Sequence, residues 1–242
     1  DYVEDSNGHF SVTFIPEYKG MSSFPGRIMH SHDFRDAEEF RNKNVIVLGS
    51  SYSAEDIALQ CNKYGTTDVT RTICFSKPKK RIKNIFTRVL KGHIAVFQSD
   101  LTKYKTGKDI DIRARKFLKK SNLDYEHGTG HGVGFFLNVH EGPQSISKKN
   151  KVKIKEGMIL SNEPGYYKKD GFGIRIENLI YVKKFKKKIF FENLTLAPIE
   201  KDLIDYGLLN LSEKNYLFKY HLNVYANISK YLNLNEKKWL AS

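Results

Sequence analysis

The segment FGIRIENLIYV (172–182) constrains this chain more than any other. Its β-branched and aromatic residues alternate with polar ones, the pattern of a strand with one face on a core. Alternation places Arg175, Glu177 and Leu179 together, opposite Ile174, Ile176 and Asn178. A carboxylate inside a strand needs a partner wherever its face is buried. Glu177 is therefore either half of an ion pair or part of a site.

Four more short, strand-like pieces carry acids and histidines: TDVTRTICF (67–75), HGTGHGVG (127–134), NVHEGP (138–143) and LSNEPGYY (160–167). In the first, Asp68, Thr70 and Thr72 share a face. In the last, Pro164 marks a strand end directly after Glu163. The two glycines between His127 and His131 argue against a helix there and let the backbone wind closely around a site. Carboxylates with one or two imidazoles suit divalent Mn, Co, Fe or Zn. Spacing alone leaves two readings open, a metal centre or ordinary ion pairs with incidental histidines.

A chain of 242 residues can bury one large core or two small ones. At 40% hydrophobic and 28% charged residues it has a globular composition, and no apolar run reaches the roughly 18 residues a membrane span needs. It opens on Asp1 rather than Met, so its first residue need not be a native start. Two cysteines, Cys61 and Cys74, make no disulfide framework, and a cytoplasmic setting is expected. The net charge of +14 comes from lysine clusters at 76–84, 147–157 and 183–191, each placed between strand-like segments. No nucleic-acid motif accompanies them, so they are read as solvated surface, with neither a nucleic-acid nor a membrane partner expected. The charge is uneven: residues 1–64 hold 6 Lys+Arg against 10 Asp+Glu, and the remainder 35 against 17.

That asymmetry coincides with a change of motif. NKNVIVLGSSYSAEDIALQCNKYG (42–65) reads as a buried strand, a turn and a helix. Such a unit opens dinucleotide-binding domains, with Gly49, Ser51 and Ser53 at the nucleotide loop. SFPGRIMHSHDFR (23–35), GHFSVTFIPEYKG (8–20) and GSSYSAEDIA (49–58) together resemble flavin-containing monooxygenases, particularly those that oxidise trimethylamine. The resemblance covers residues 1–64 and implies a Rossmann-like fragment. The FAD-binding glycine motif of that family and the rest of its NADP domain are absent, so neither FAD nor NADP is expected to bind.

From Gly65 onward the motifs TTDVTRT, VLKGHIAVF, LDYEHGTGHGVGFFLNVHEGPQ, GMILSNEPGYY and FGIRIENL resemble, in order and spacing, the catalytic domain of Xaa-Pro aminopeptidases. These are metallopeptidases of the "pita-bread" fold. The resemblance implies metal ligands at Asp68, His131, Glu163 and Glu177, with Asp68 and Glu177 bridging two ions. It implies substrate-binding histidines at His127 and His140, with Arg175 holding the neighbouring carboxylates. It further implies manganese as the metal and hydrolysis of the bond before a proline at the second peptide position, with Glu163 as proton acceptor. The family's fifth ligand, an aspartate, would fall on Ile57, beside Asp56, so one ion site is expected to be nearly complete and the other crippled.

The chain is thus expected to be a fusion of two fragments joined at 64/65, by genomic rearrangement or by an assembly error. Residues 65–200 would be the peptidase domain without its N-terminal part, and 201–242 its C-terminal extension. The alternatives are a non-catalytic remnant that binds one metal or a peptide, and a piece of an FAD- and NADPH-dependent monooxygenase. The expected fold class is α+β: a partial pita-bread body of mostly antiparallel strands, preceded by the Rossmann-like fragment. Helices are expected over 106–121, with Ile110, Ile112, Ala114 and Leu118 at helical spacing, and over 212–241. The latter segment would lean on a homodimer partner and leave Trp239 exposed in its absence.

Overall fold

Helix α1 (Lys80–Phe97) lies at the centre of the packing and was not expected from the sequence. The lysine cluster at 76–84 does not stand between strands but runs into its first turns. Behind the cluster, Ile85, Phe86, Val89, Leu90 and Ile94 recur at helical intervals and are buried on one face. Removing a side chain such as Phe86 or Leu90 from water contributes roughly 1.5–3 kcal/mol. Lysines that read as a polar loop are the solvated start of an amphipathic helix.

This computed structural model describes residues 66–134, 138–169 and 171–241, with Ser23, 27–29, Asp33 and Phe40. The chain divides into two compact units, Asp1–Gly65 and Thr66–Ser242, and every element named below belongs to the second. The strand–turn–helix over 42–65, the loop residues Gly49, Ser51 and Ser53, and positions 56 and 57 lie outside the described residues. No described helix is long and apolar enough to cross a membrane.

Helix α2 (Gly107–Lys119) matches the expected 106–121 segment, closed at its start by a capping box between Thr106 and Asp109. Ile110, Ala114 and Leu118 are buried, whereas Ile112 is exposed, on nearly the opposite face of the helix. The two helices touch where Gly92 meets Ala114. A Cβ on Gly92 would stand 2.6 Å from the Ala114 carbonyl oxygen, so only glycine permits this approach.

The strands are antiparallel throughout: β1 (Gly130–His131) with β2 (Ser145–Ile146), β3 (Ile159–Asn162) with β6 (Asn178–Phe185), β4 (Gly165–Lys168) with β5 (Phe172–Arg175), and β6 with β7 (Lys188–Asn193). The β3–β6 and β4–β5 ladders keep one register. Asn162 pairs with Asn178, and Gly165 with Arg175, so they form a single long hairpin with a short gap. In that gap Glu163 faces Glu177 and Pro164 faces Ile176. Glu177, expected inside a strand, sits in this interruption.

The piece expected as a strand, 67–75, enters no ladder: residues 66–74 carry no regular structure and Phe75 lies in a bend. The alternation survives, with Val69 and Ile73 exposed and Asp68, Thr70 and Thr72 turned inward. One backbone bond, from Glu177 N–H to Thr70 O, ties the segment to the hairpin, and side chains do the rest. Thr72 Oγ1 exchanges hydrogen bonds with the Arg175 backbone. Arg71 spreads its guanidinium over Pro198 O, Ala197 O, Glu177 O, the Asn178 amide oxygen and Tyr220 OH.

The expected C-terminal helix over 212–241 is two helices, α3 (Leu211–Ile228) and α4 (Leu234–Ala241), with a 3-10 turn at Ser229–Tyr231 between them. Asn210 caps the first and Asn233 the second, each accepting from the backbone N–H three residues on. Tyr216, Leu217, Tyr220 and Val224 bury α3 in one core cluster with the α1 stripe, Tyr216 and Tyr220 reaching Asn193 of β7 and Asn178 of β6, while Trp239 is exposed on α4.

Candidate metal centre

The hairpin's gap gathers the acids. Glu163 N–H bonds Thr129 O, and Glu177 N–H bonds Thr70 O, so both glutamates turn their backbone donors outward. They are therefore a non-hydrogen-bonded cross-strand pair, the type that brings side chains closest, and like charges placed so are destabilising. Glu177 is 1% and Glu163 7% exposed, so water screens them little.

Two flanking segments complete the cluster. The 66–72 segment brings Asp68 alongside Glu177, and β1 brings His131. His131 Nε2 stands 3.2 Å from Asp68 Oδ2 and 3.3 Å from Glu163 Oε1. β1 comes this close because residue 130 is glycine: a Cβ there would be 1.9 Å from Ser161 O. His131 N–H then donates to Ser161 Oγ, whose own hydrogen goes to Glu163 Oε1 at 3.0 Å. The next residue of β1 thus places the imidazole, and the same serine holds the carboxylate.

Charge balance within the cluster is unequal. Burial, together with the charges of Glu163 and Asp68, pushes the Glu177 carboxyl up to about 8, although Thr70 Oγ1 donates to it. Burial works against the Glu163 carboxylate too, but His131 and Arg175 outweigh it and hold that group below its ordinary range. Arg175 reaches Glu163 Oε2 at 3.4 Å. Burial opposes the His131 imidazolium, yet bonds to Asp68 and Glu163 raise it to about 10. Without an ion the cluster settles its charge with a proton on Glu177 and with the His131 imidazolium and Arg175 beside Glu163.

Donor atoms of Asp68, His131 and Glu177 all lie within 4.8 Å of one another, and Glu163 adjoins them through His131. An oxygen-rich set with one imidazole fits a hard or borderline divalent ion. The other expected site residues line the rim. His140 is exposed and packs on His131, ring centroids 4.0 Å apart. His127 is reached through a relay: Arg175 Nε donates to Tyr167 OH at 2.7 Å, and that hydroxyl meets His127 Nε2 at 3.1 Å. His127 Nδ1 faces Gly128 O, which assigns its hydrogen there and makes Nε2 the acceptor. Burial lowers the affinity of His127 for a second proton.

All seven peptidase-type positions, Asp68, His127, His131, His140, Glu163, Arg175 and Glu177, fall in this one region. Sequence reasoning passed over Tyr167, Ser161, Thr70 and Arg71. Tyr167 was within reach, since alternation along β4 puts it diagonal to Arg175. Thr70 shares a face with Asp68 in the sequence but had no assigned role, and Ser161 carried no signal of its own.

A buried network supports the histidine loop from behind. Arg115 on α2 is 1% exposed, and it bonds Asp111 at 2.8 Å, Asp124 at 2.7 Å, Tyr125 O at 2.5 Å and His127 O at 2.6 Å. Thr129 Oγ1 donates to the other Asp111 oxygen at 2.6 Å. Every strong donor and acceptor here is paired, as a buried charge requires.

Comparison with known proteins agrees with this geometry. The sequence profile of metallopeptidase family M24 matches residues 23–184, and that of the C-terminal region of peptidase M24 matches residues 188–242. The first match begins within the segment that resembles monooxygenases. A probable Xaa-Pro aminopeptidase P of Laccaria bicolor is 46% identical over 73% of this chain and 29% of its own. Aminopeptidase P2 of Arabidopsis thaliana is 47% identical over 73% of this chain and 26% of its own. Among solved structures, an X-prolyl aminopeptidase from Caenorhabditis elegans, described as a cytosolic enzyme with a di-nuclear active site, aligns over 73% of this chain and 31% of its own. Its TM-score is 0.68 at 40% identity. The chain therefore spans between a quarter and a third of the length of these relatives. With its mixed helices and antiparallel strands, a clustered acid–histidine centre and these matches, the chain belongs to metallopeptidase family M24.

Proposed function

We propose that this chain carries the metal- and peptide-binding centre of an aminopeptidase that releases an N-terminal residue linked to proline. One observation carries the reading: Glu163 and Glu177 face each other, buried, in the gap of one hairpin, with Asp68 and His131 closing on them. A divalent ion would take the place of the protons that Glu177 and His131 otherwise hold there. Asp68, His131, Glu163 and Glu177 would hold a divalent ion, manganese in our reading, and such an ion supplies a polarised carbonyl and a more acidic water.

The chain's own groups do the remaining work. Glu163 Oε1, fixed by Ser161 Oγ–H, is placed to take a proton from the hydrolytic water. Arg175 keeps Glu163 ionised at neutral pH and aligns Tyr167 OH with His127. His127 and His140, on the rim, are assigned to the peptide. We further propose a cytosolic enzyme that pairs with a second copy through its C-terminal helices, where Phe218, Leu222 and Trp239 are exposed.

Ile57 stands where a fifth, aspartate donor is expected, which favours a second reading: a centre that binds one ion without turnover. Cleavage of an Xaa-Pro peptide with and without added Mn²⁺ separates the two. Manganese-dependent release of the first residue, lost in Glu163→Ala, supports the enzyme. Ion binding with no release supports the single-ion reading.

A further inference from the structure

Pro164 leaves a defect that another element repairs. In the hairpin register Pro164 faces Ile176, and Ile176 N–H donates to Pro164 O at 3.4 Å. In a ladder the return bond would run from residue 164 N–H to Ile176 O, but proline has no N–H. Ile176 is 1% exposed, so its carbonyl has no water to turn to. The missing donor comes from α1. His93, wholly buried, puts Nδ1 3.2 Å from Ile176 O, which fixes the Nδ1–H tautomer. Among the described residues Nε2 of the same ring has no partner, so the bond to Ile176 is the ring's one hydrogen bond there.

Its place in the chain gives that bond a consequence. Ile176 immediately precedes Glu177. Asn162, which immediately precedes Glu163, donates from its side-chain amide to the His93 carbonyl at 3.0 Å. One residue of α1 thus grips both glutamate-bearing strands from the side away from the ion donors. We propose that His93 is a positioning residue for the metal centre, its Nδ1–H standing in for the donor that Pro164 withholds and so fixing the backbone that presents Glu177 to Glu163. Burial, reinforced by the nearby Arg71 guanidinium, drives the ring's affinity for a second proton down to about 3, in keeping with a neutral donor. This proposal rests on the metal reading of the site.

The test compares His93→Asn, His93→Gln and His93→Leu in the full chain. An asparagine amide reproduces an Nδ1–H donor, a glutamine amide reaches the Nε2 position, and leucine fills the space without donating. Two readouts are followed, hydrogen exchange of the backbone over 160–178 and Mn²⁺ affinity by calorimetry. Expected is exchange at Glu177 at least tenfold faster in His93→Leu and His93→Gln, with Mn²⁺ bound at least tenfold more weakly. His93→Asn should stay within threefold of the parent in both. Equal behaviour of the Asn and Leu variants, or parental exchange and affinity in His93→Leu, overturns the proposal. If His93→Leu does not fold, the Asn–Gln contrast decides in the same way. A parent chain that binds no Mn²⁺ refutes the metal reading, while the exchange data still decide whether His93 holds Ile176.

Discussion

Replacing Arg115 by methionine tests whether the polar network beneath the histidine loop does what its geometry implies. Methionine fills most of the arginine's volume and removes its charge. Asp111, whose side chain is 1% exposed, is then left as a buried carboxylate with only Thr129 Oγ1 to bond it. Stranding one member of a buried ion pair costs about 3–5 kcal/mol. Tyr125 O and His127 O lose their donor as well, at about 1–3 kcal/mol for each carbonyl that water cannot reach. Because loop 124–129 can relax toward solvent, the terms overlap, and a net loss of about 4 kcal/mol is expected, a large share of the roughly 5–15 kcal/mol that holds a domain together. Urea unfolding followed by far-ultraviolet circular dichroism reads the loss of helices α1 to α3. Adding Asp111→Asn keeps the Thr129 bond but removes the stranded charge, so the double variant should recover about 1–2 kcal/mol. A loss under about 1 kcal/mol, or a double variant no more stable than the single, refutes the reasoning.

Other perturbations probe other links. Gly130→Ala forces a Cβ into Ser161 O and pushes β1 off β3; about 1–3 kcal/mol of stability should go, and Mn²⁺ affinity should fall more than tenfold because His131 moves with the strand. A calorimetric titration showing parental affinity would count against the strand-packing account. His93 titrates near 6.5 when unfolded but only near 3 when folded, so the unfolded chain takes the proton first and stability drains away as pH falls through that window. The stability difference between the parent and His93→Asn should shift against the parent by about 2.5 kcal/mol between pH 6 and pH 4, and a flat difference in urea melts would contradict the neutral, buried ring. Saturating Mn²⁺ at 100 times its dissociation constant should stabilise the second unit by about 2.7 kcal/mol, reversed by chelator, whereas an unchanged melting curve would speak against an ion at the Glu163–Glu177 pair.

The sequence made the chemistry more legible than the architecture. Asp68, His131, Glu163 and Glu177 could be named because acids and histidines on strand-like, proline-stopped or glycine-flanked pieces are unusual there, and because their motifs resemble a family. The structure brings these four together. Helix α1 was not read from the sequence because its lysine-rich start resembles a loop, with Ile82 alone among the charges before the buried stripe begins at Ile85. The 66–74 segment has the alternation of a strand, but alternation reports which side faces the core and not whether a ladder partner exists. The break near Ser229 was hidden because helix propensity runs nearly unbroken through 212–241, and capping by Asn233 decided the matter locally. The roles of Arg115, Arg71 and His93 were not readable at all. Arg71 and His93 depend on carbonyls far away in sequence and Arg115 on those of a nearby loop, and a one-dimensional pattern does not show which carbonyls a fold leaves unpaired.

The single register of the long hairpin sets unequal tolerance to changes in chain length. The connection between Lys168 and Phe172 fixes which residue stands across from Glu163. One residue inserted there, if the strands slide to absorb it, puts Glu177 on the opposite side of the ribbon from its counterpart and dismantles the centre without altering any of its members. The turn between Phe185 and Lys188 joins the same β6 strand to β7 but lies at the far end from the glutamates, so an insertion there leaves their pairing alone. Two turns of one small sheet are thus under opposite constraint: lineages of this fold can vary loop length freely at the lysine-rich tip and hardly at all at the other.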